Sequence, residues 1–165
     1  MIGKAKSNKS LQATIAYNEK ENATLIYTNK LVGMLLADFK MQMEDLQKCY
    51  RGYARQLTIH AILSPAIEDG KSLTISQWKK IARKYMNNMN MQALQAIAFL
   101  HEDKEHKHLH LVINKVKEED FKLFHDSYIG KKTQKAADSI AIEMKLVRAM
   151  EVRQMRINEA VRIKT

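Results

Sequence analysis

Two periods of apolar residues alternate along this chain, and each marks a kind of element. In "HLHLVIN" (108–114) apolar residues repeat at every second position, whereas in "LVGMLLADFKMQMEDLQK" (31–48) they recur every three or four. The first period belongs to a strand and the second to an amphipathic helix. Met1 to Lys6 reads as an edge strand or a loop. Ser10 stands where an N-cap would open a helix through "LQATIAYNEKEN", because its hydroxyl can accept from the free amides of the first turn. "ATLIYTN" is a short β-branched and aromatic run and predicts a strand. "RQLTIHAILSP" predicts another, closed by Ser64 and Pro65 and followed by a turn at Glu68, Asp69 and Gly70. Ser76 or Thr74 would cap a helix over "SQWKKIARKYMNNMN". "QALQAIAFLH" and "HKHLHLVINKV", joined by the charged "EDKE", predict an antiparallel hairpin. From Lys131 to the end the chain reads as helix with a basic exposed face.

Strands this apolar on both faces need helices over each of them. The expected fold class is therefore α+β: a central antiparallel sheet carrying the His-x-His strand, helices packed on both faces, and a helical C-terminal tail. The expected boundary places one domain at 1–146 and a basic C-terminal helix at 147–165.

Composition narrows the possibilities. Over 165 residues, 45% are hydrophobic and there are one proline and five glycines, which suits one globular domain without long flexible linkers. Lysine and arginine total 28 against 18 aspartates and glutamates, a net charge of +10. Such a surplus points to a polyanionic partner, most often nucleic acid. The single cysteine, Cys49, excludes an intramolecular disulfide framework and reads as structural. No apolar run approaches the roughly 18 residues that span a bilayer, and "MIGKAKSNKS" lacks the apolar middle of a signal peptide. A cytoplasmic protein with no membrane partner is expected.

Chemistry concentrates in "HEDKEHKHLHLVIN" (101–114), which holds four of the six histidines. His106, His108 and His110 are spaced by two, so on a strand they leave one face, whereas on a helix they would fan over roughly 200°. His101, at the end of the preceding strand, lies across the turn from that face. His101, His108 and His110 can thus converge on one ion at about 2.0–2.2 Å, leaving positions open as a catalytic site does. Imidazole donors suit first-row transition metals without choosing among them. Surface histidines or an adventitious metal patch are the bland alternative. His106 could be a weaker ligand, a phosphate contact or a solvent-exposed residue. Asp103 could orient a ligand histidine through its second nitrogen. Asn114, in phase with His108 and His110, is expected to face the same cleft.

Spaced as His-x-Asp-x-x-x-x-His-x-His-x-x-x-Asn, the residues His101, Asp103, His108, His110 and Asn114 resemble the signature of the relaxases, or mobilisation nucleases, of the histidine-hydrophobe-histidine superfamily of single-strand DNA endonucleases. "SLQATIAYNEKEN" resembles the family's N-terminal tyrosine helix, with Tyr17 in the tyrosine position, and "LTIHAILSP" is similar to a family strand ending in serine. The likeness covers most of residues 1–146. It departs where a family-like Gly-Leu is here Lys145-Leu146, and relaxases usually run well beyond 165 residues, so a truncated or minimal form is expected.

The resemblance implies a nickase and strand transferase acting at the origin of transfer of a plasmid or mobilizable element, with Tyr17 attacking a phosphodiester to leave a 5′-phosphotyrosine. It implies a divalent cation, with Mn²⁺ or Mg²⁺ foremost and Zn²⁺, Co²⁺ or Ni²⁺ also admissible, and single-stranded DNA with accessory mobilisation proteins as partners. A phenol with pKa near 10 is a weak nucleophile at neutral pH, so a bound cation suits the chemistry. On a helical wheel Tyr17 lies about 110° from the centre of the arc holding Leu11, Thr14, Ile15 and Asn18, off the core face. Tyr27 is the alternative nucleophile. Lys4, Lys6, Lys9, Lys131 and Lys132 are expected to bind DNA. Ser64 could touch a phosphate, or simply end its strand. Two other readings stay open: a rolling-circle replication initiator or transposase of the same superfamily, and a non-catalytic DNA-binding module with a structural metal.

Overall fold

The computed structural model describes residues 1–103 and 105–164, the last of these by its backbone alone. Lys104 of the expected "EDKE" turn and Thr165 of the expected terminal helix lie outside the described residues. Five strands form one sheet: β1 (Ile2–Asn8), β2 (Ala23–Asn29), β3 (Thr58–Ser64), β4 (Ala96–His101) and β5 (His108–Asn114). Their order is β1-β3-β5-β4-β2 and every neighbouring pair is antiparallel. The β4–β5 hairpin therefore sits in the middle, flanked by β3, and His101 pairs directly with His108.

Helices cover both faces, as the two-sided apolar strands require. On one face α1 (Leu11–Asn18) and α2 (Leu36–Lys48) bury Leu11, Ile15, Phe39 and Met43 against Ile97, Phe99 and Val112. On the other, α4 (Ile75–Asn88) and α5 (Ile129–Glu143) pack Trp78, Ile81, Tyr85, Ala137 and Ile140 over Ile59, Ala61, Leu109 and Leu111. Gly3 allows α5 to lie directly on β1. A Cβ there would stand 2.8 Å from the Thr133 carbonyl oxygen and 2.9 Å from the Ala137 Cβ. The short α3 (Ile67–Ser72) follows β3 along the chain, and α6 (Ala149–Lys164) ends the described chain. Among the described residues no helix is long and apolar enough to cross a membrane.

Several element ends differ from the sequence expectation. Ser10 does cap α1, its Oγ accepting from the Ala13 amide at 3.0 Å, but the helix stops at Asn18. Helix α2 starts at Leu36, because the Asp38 carboxylate accepts from the Leu35 amide at 3.0 Å and the chain before it turns through Gly33 at φ 127°. Thr74 rather than Ser76 caps α4, through a reciprocal pair in which Gln77 accepts from the Thr74 amide at 2.8 Å. The turn expected at residues 68–70 is the helix α3. The C-terminal helical stretch is two helices, separated by a Schellman turn in which the Leu146 amide donates to the Ala141 carbonyl at 2.8 Å and Lys145 takes φ 57°.

Candidate active site: three histidines beside a tyrosine cleft

Strand register puts the histidines together. His60 of β3, His110 of β5 and His101 of β4 leave the same sheet face, and His108 stands one alternation from His110 at the open end of β5. His101 and His110 stack with ring centroids 3.8 Å apart, and His108 lies 5.1 Å from His110. One ligand atom from each of His101, His108 and His110 falls within 4.8 Å of the others. The first and last of the three are almost wholly buried and His108 is partly exposed.

Hydrogen bonds decide which nitrogens are available. Asn18 Nδ2 donates to the Thr14 carbonyl at 2.8 Å and presents its other hydrogen to His60 Nε2 at 3.3 Å. His60 Nε2 is therefore an acceptor, and His110 Nδ1, 3.0 Å away, must be the N–H that donates to it. His110 Nε2 is left as a bare lone pair. His108 Nδ1 faces the His106 carbonyl at 3.0 Å and so carries its proton, freeing Nε2 in the same way. His110 Nε2 and both nitrogens of His101 are buried without a hydrogen-bond partner among the described residues. Orphaned buried imidazole nitrogens are costly, and a shared cation would satisfy them. The donor set fits a divalent metal.

The electrostatics agree. Burial, then the neighbouring His101 and His60, pushes His110 down to about 2; burial, then Lys6 and His101, pushes His60 down to about 4. Burial and His108 also lower His101, while Asp103 pulls the other way. These rings stay neutral near pH 7, the form that ligates metals.

Tyr17, on the last turn of α1, is 56% exposed. Its ring meets that of His60 edge-on at 6.0 Å, with Lys20 Nζ 4.4 Å from its centroid. It shares a cleft of about 350 Å³ with Lys4, Ser64, His106, His108 and His110. A second cleft on its other side is lined by Lys6, Lys9 and His60.

Not every expected residue arrives there. Asn114 is on the histidine face but lies under α2, donating to the Met43 carbonyl at 3.1 Å and to Gln95 Oε1 at 3.0 Å, so it does not face the cleft. Four residues of strand separate it from His110, on the order of 13 Å. His106 lines the cleft but turns its Nε2–H to the Pro65 carbonyl at 3.1 Å. Asp103 is half-buried in the loop after His101. Lys131 and Lys132 sit on α5, across the sheet from the histidines and outside both clefts. Tyr27 packs against the core on the α4 side, where burial raises its pKa. Cys49 ends α2 with its thiol on the Asp45 carbonyl at 3.4 Å.

His60 and Asn18 were not legible as site residues. The only signal for His60 is a polar residue interrupting the apolar run Ile59 to Leu63.

This is an α+β domain in which three imidazoles converge on the middle strands of an antiparallel sheet, a donor set that could hold a metal ion, beside an exposed tyrosine. The chain belongs to the family described as "Relaxase: MobA/VirD2-like, nuclease domain", whose model matches residues 11–146. Among solved structures it is similar to the "MobM Relaxase Domain (MOBV; Mob_Pre) bound to 26nt pMV158 oriT DNA", with TM-score 0.58 and 13% identity over 90% of this chain and 91% of that one. At that identity the likeness speaks for the fold. No curated protein sequence matches the chain.

Proposed function

We propose that this chain is a strand-specific DNA nickase and strand transferase that acts on single-stranded DNA at the origin of transfer of a plasmid or mobilizable element. The observation that carries this reading is the shared cleft of Tyr17, His108 and His110. The nuclease family of the chain supports it, as does the DNA-bound state of the similar MobM domain.

In this reading Tyr17 Oη attacks the scissile phosphorus, the bond to the 3′-oxygen breaks, and the products are a 5′-phosphotyrosine and a free 3′-hydroxyl. The phenol proton leaves to the water that reaches this exposed ring, and the departing 3′-oxygen takes one up. A divalent cation, Mn²⁺ or Mg²⁺ foremost, would supply positive charge opposite the non-bridging phosphate oxygens. His101, His108 and His110 would hold it, with His60 and Asn18 fixing the tautomer that makes His110 a ligand. Lys4, at the cleft wall, and Lys6 and Lys9, in the neighbouring one, would hold the backbone of the strand. Because the phosphotyrosine conserves the energy of the broken bond, the reverse attack by a 3′-hydroxyl reseals DNA without ATP. Residues 1–146 form the nuclease domain in this reading and 147–165 a basic extension of it. Accessory mobilisation proteins and a cytoplasmic setting belong to the same proposal.

The test is incubation with labelled single-stranded oligonucleotides from candidate transfer origins of the encoding element plus Mn²⁺, followed by a denaturing gel. A protein-linked band mapped by peptide mass to Tyr17, and lost in Tyr17→Phe with DNA binding kept, is the expected result. Tight binding with metal bound but no adduct on any origin would instead favour the non-catalytic module.

A further inference from the structure

A groove of about 680 Å³ runs between the β3–α3 connection and α6, and neither the clustered His101, His108 and His110 nor Tyr17 lines it. Ile2, Ser64 and His106 line both this groove and the Tyr17 cleft, so the two are continuous. One wall is apolar, built from Ile2, Pro65 and Ile67. The other is the face of α6 that carries Val152, Arg153, Arg156 and Ile157. Arg153 and Arg156 are three residues apart and so lie on one side of the helix. Neither makes an ion pair among the described residues. The lining holds one carboxylate, Glu68, and that has Lys71 at 4.0 Å.

The α6 wall is held in place at its start. Arg148 donates through Nε and a terminal nitrogen to the two Asp138 oxygens at 2.9 and 2.7 Å, and the Val147 amide donates to Asp69 at 2.8 Å. This wall lies beyond residues 11–146, where the family model matches.

We propose that this groove is a second binding segment for single-stranded DNA, taking the nucleotides on one flank of the scissile phosphate. This rests on the nickase reading for what occupies the Tyr17 cleft. A single strand offers both of the chemistries the groove displays. Its phosphates match Arg153 and Arg156, while exposed base faces match the apolar wall and can stack on guanidinium planes. The volume suits about two nucleotides on the scale of pockets that enclose drug-sized ligands. Continuity with the cleft and the positive charge select DNA over a partner protein or a second copy of the chain.

The test uses the full chain and oligo(dT) carrying 4-thiothymidine, read by fluorescence anisotropy across a salt series and by photo-crosslinking with peptide mapping. Arg153→Ala/Arg156→Ala is expected to lose about ten-fold in affinity near 0.1 M salt and to flatten the slope of log K against log salt by about 1.4, two contacts of a single strand. Crosslinks should map to α6 or to residues 64–68. Lys79→Ala/Lys80→Ala, on α4 across the sheet, should move neither reading much. Equal losses in both double variants, or an unchanged slope with no crosslink on either wall, overturns the proposal. So does an arginine variant that alters only self-association by sedimentation. Adduct formation at Tyr17 with normal DNA binding by the arginine variant removes the groove alone. Loss of binding in that variant, with no adduct ever formed by the wild type, removes the nickase reading and leaves the groove.

Discussion

His60 Nε2 lies 3.0 Å from His110 Nδ1, and this contact decides which nitrogen of His110 faces the cluster. Because Asn18 holds His60 Nε2 as an acceptor, the chain Asn18–His60–His110 fixes the tautomer of His110 from two elements away. Removing an outer partner of a ligating histidine typically costs ten- to a hundred-fold in metal affinity. His60→Ala is expected to weaken Mn²⁺ or Co²⁺ binding by about that factor in calorimetry, with a smaller loss for Asn18→Ala. Wild-type affinity in His60→Ala would show that His110 is oriented by its packing alone.

The same rings make stability depend on pH when metal is stripped by a chelator. In the unfolded chain imidazoles take up protons as pH falls through 6.5, whereas folded His60 waits until about 4 and His110 until about 2. Between these values the unfolded state binds more protons, so stability falls as pH drops from 6.5 toward 4. Each such imidazole contributes roughly 1 kcal/mol per pH unit in that window. Urea unfolding at pH 7 and pH 5 should show the decline, with a shallower slope in His60→Phe; a flat profile would contradict neutral buried rings.

Asn114 separates structure from chemistry. Its amide serves the Met43 carbonyl and Gln95, while its oxygen accepts from the Val116 amide at 3.1 Å. Asn114→Ala leaves these buried groups unpaired and should cost about 2 kcal/mol of folding stability. Metal affinity at the three histidines should be unchanged. A specific loss of metal with stability intact would return Asn114 to the site.

Lys145 takes φ 57° in the turn between α5 and α6, where a residue without Cβ sits free of strain. Lys145→Gly should raise the thermal midpoint, by about 1 kcal/mol of added stability. A lower midpoint would mean that the lysine side chain contributes more than its backbone costs.

The three clustered histidines were readable because they are local: an alternating run places His108 and His110 on one face whatever the rest of the fold does, and the hairpin brings His101 back beside them. His60 was hidden because its partner lies fifty residues away, reached only through the β3–β5 register. Asn114 misled for a related reason. Alternation gives the face of a strand but not which helix covers each stretch of it, and α2 covers Asn114 while leaving His108 open. Strands and most helices followed their patterns. The break at Lys145 escaped because the turn there uses lysine where glycine is the usual marker, although the missing Gly-Leu of the family pattern falls at that spot.

The sheet leaves two outer edges, β1 and β2. Unpaired strand edges invite growth into fibres, and both are blunted here: β1 carries Lys4 and Lys6, and the register of β2 slips between Leu25 and Tyr27. A charged strand and a bulged one make poor templates for another chain. Concentrated solutions of this protein should therefore resist amyloid-like aggregation, and straightening the β2 bulge by deleting Ile26 should be the change that weakens this resistance.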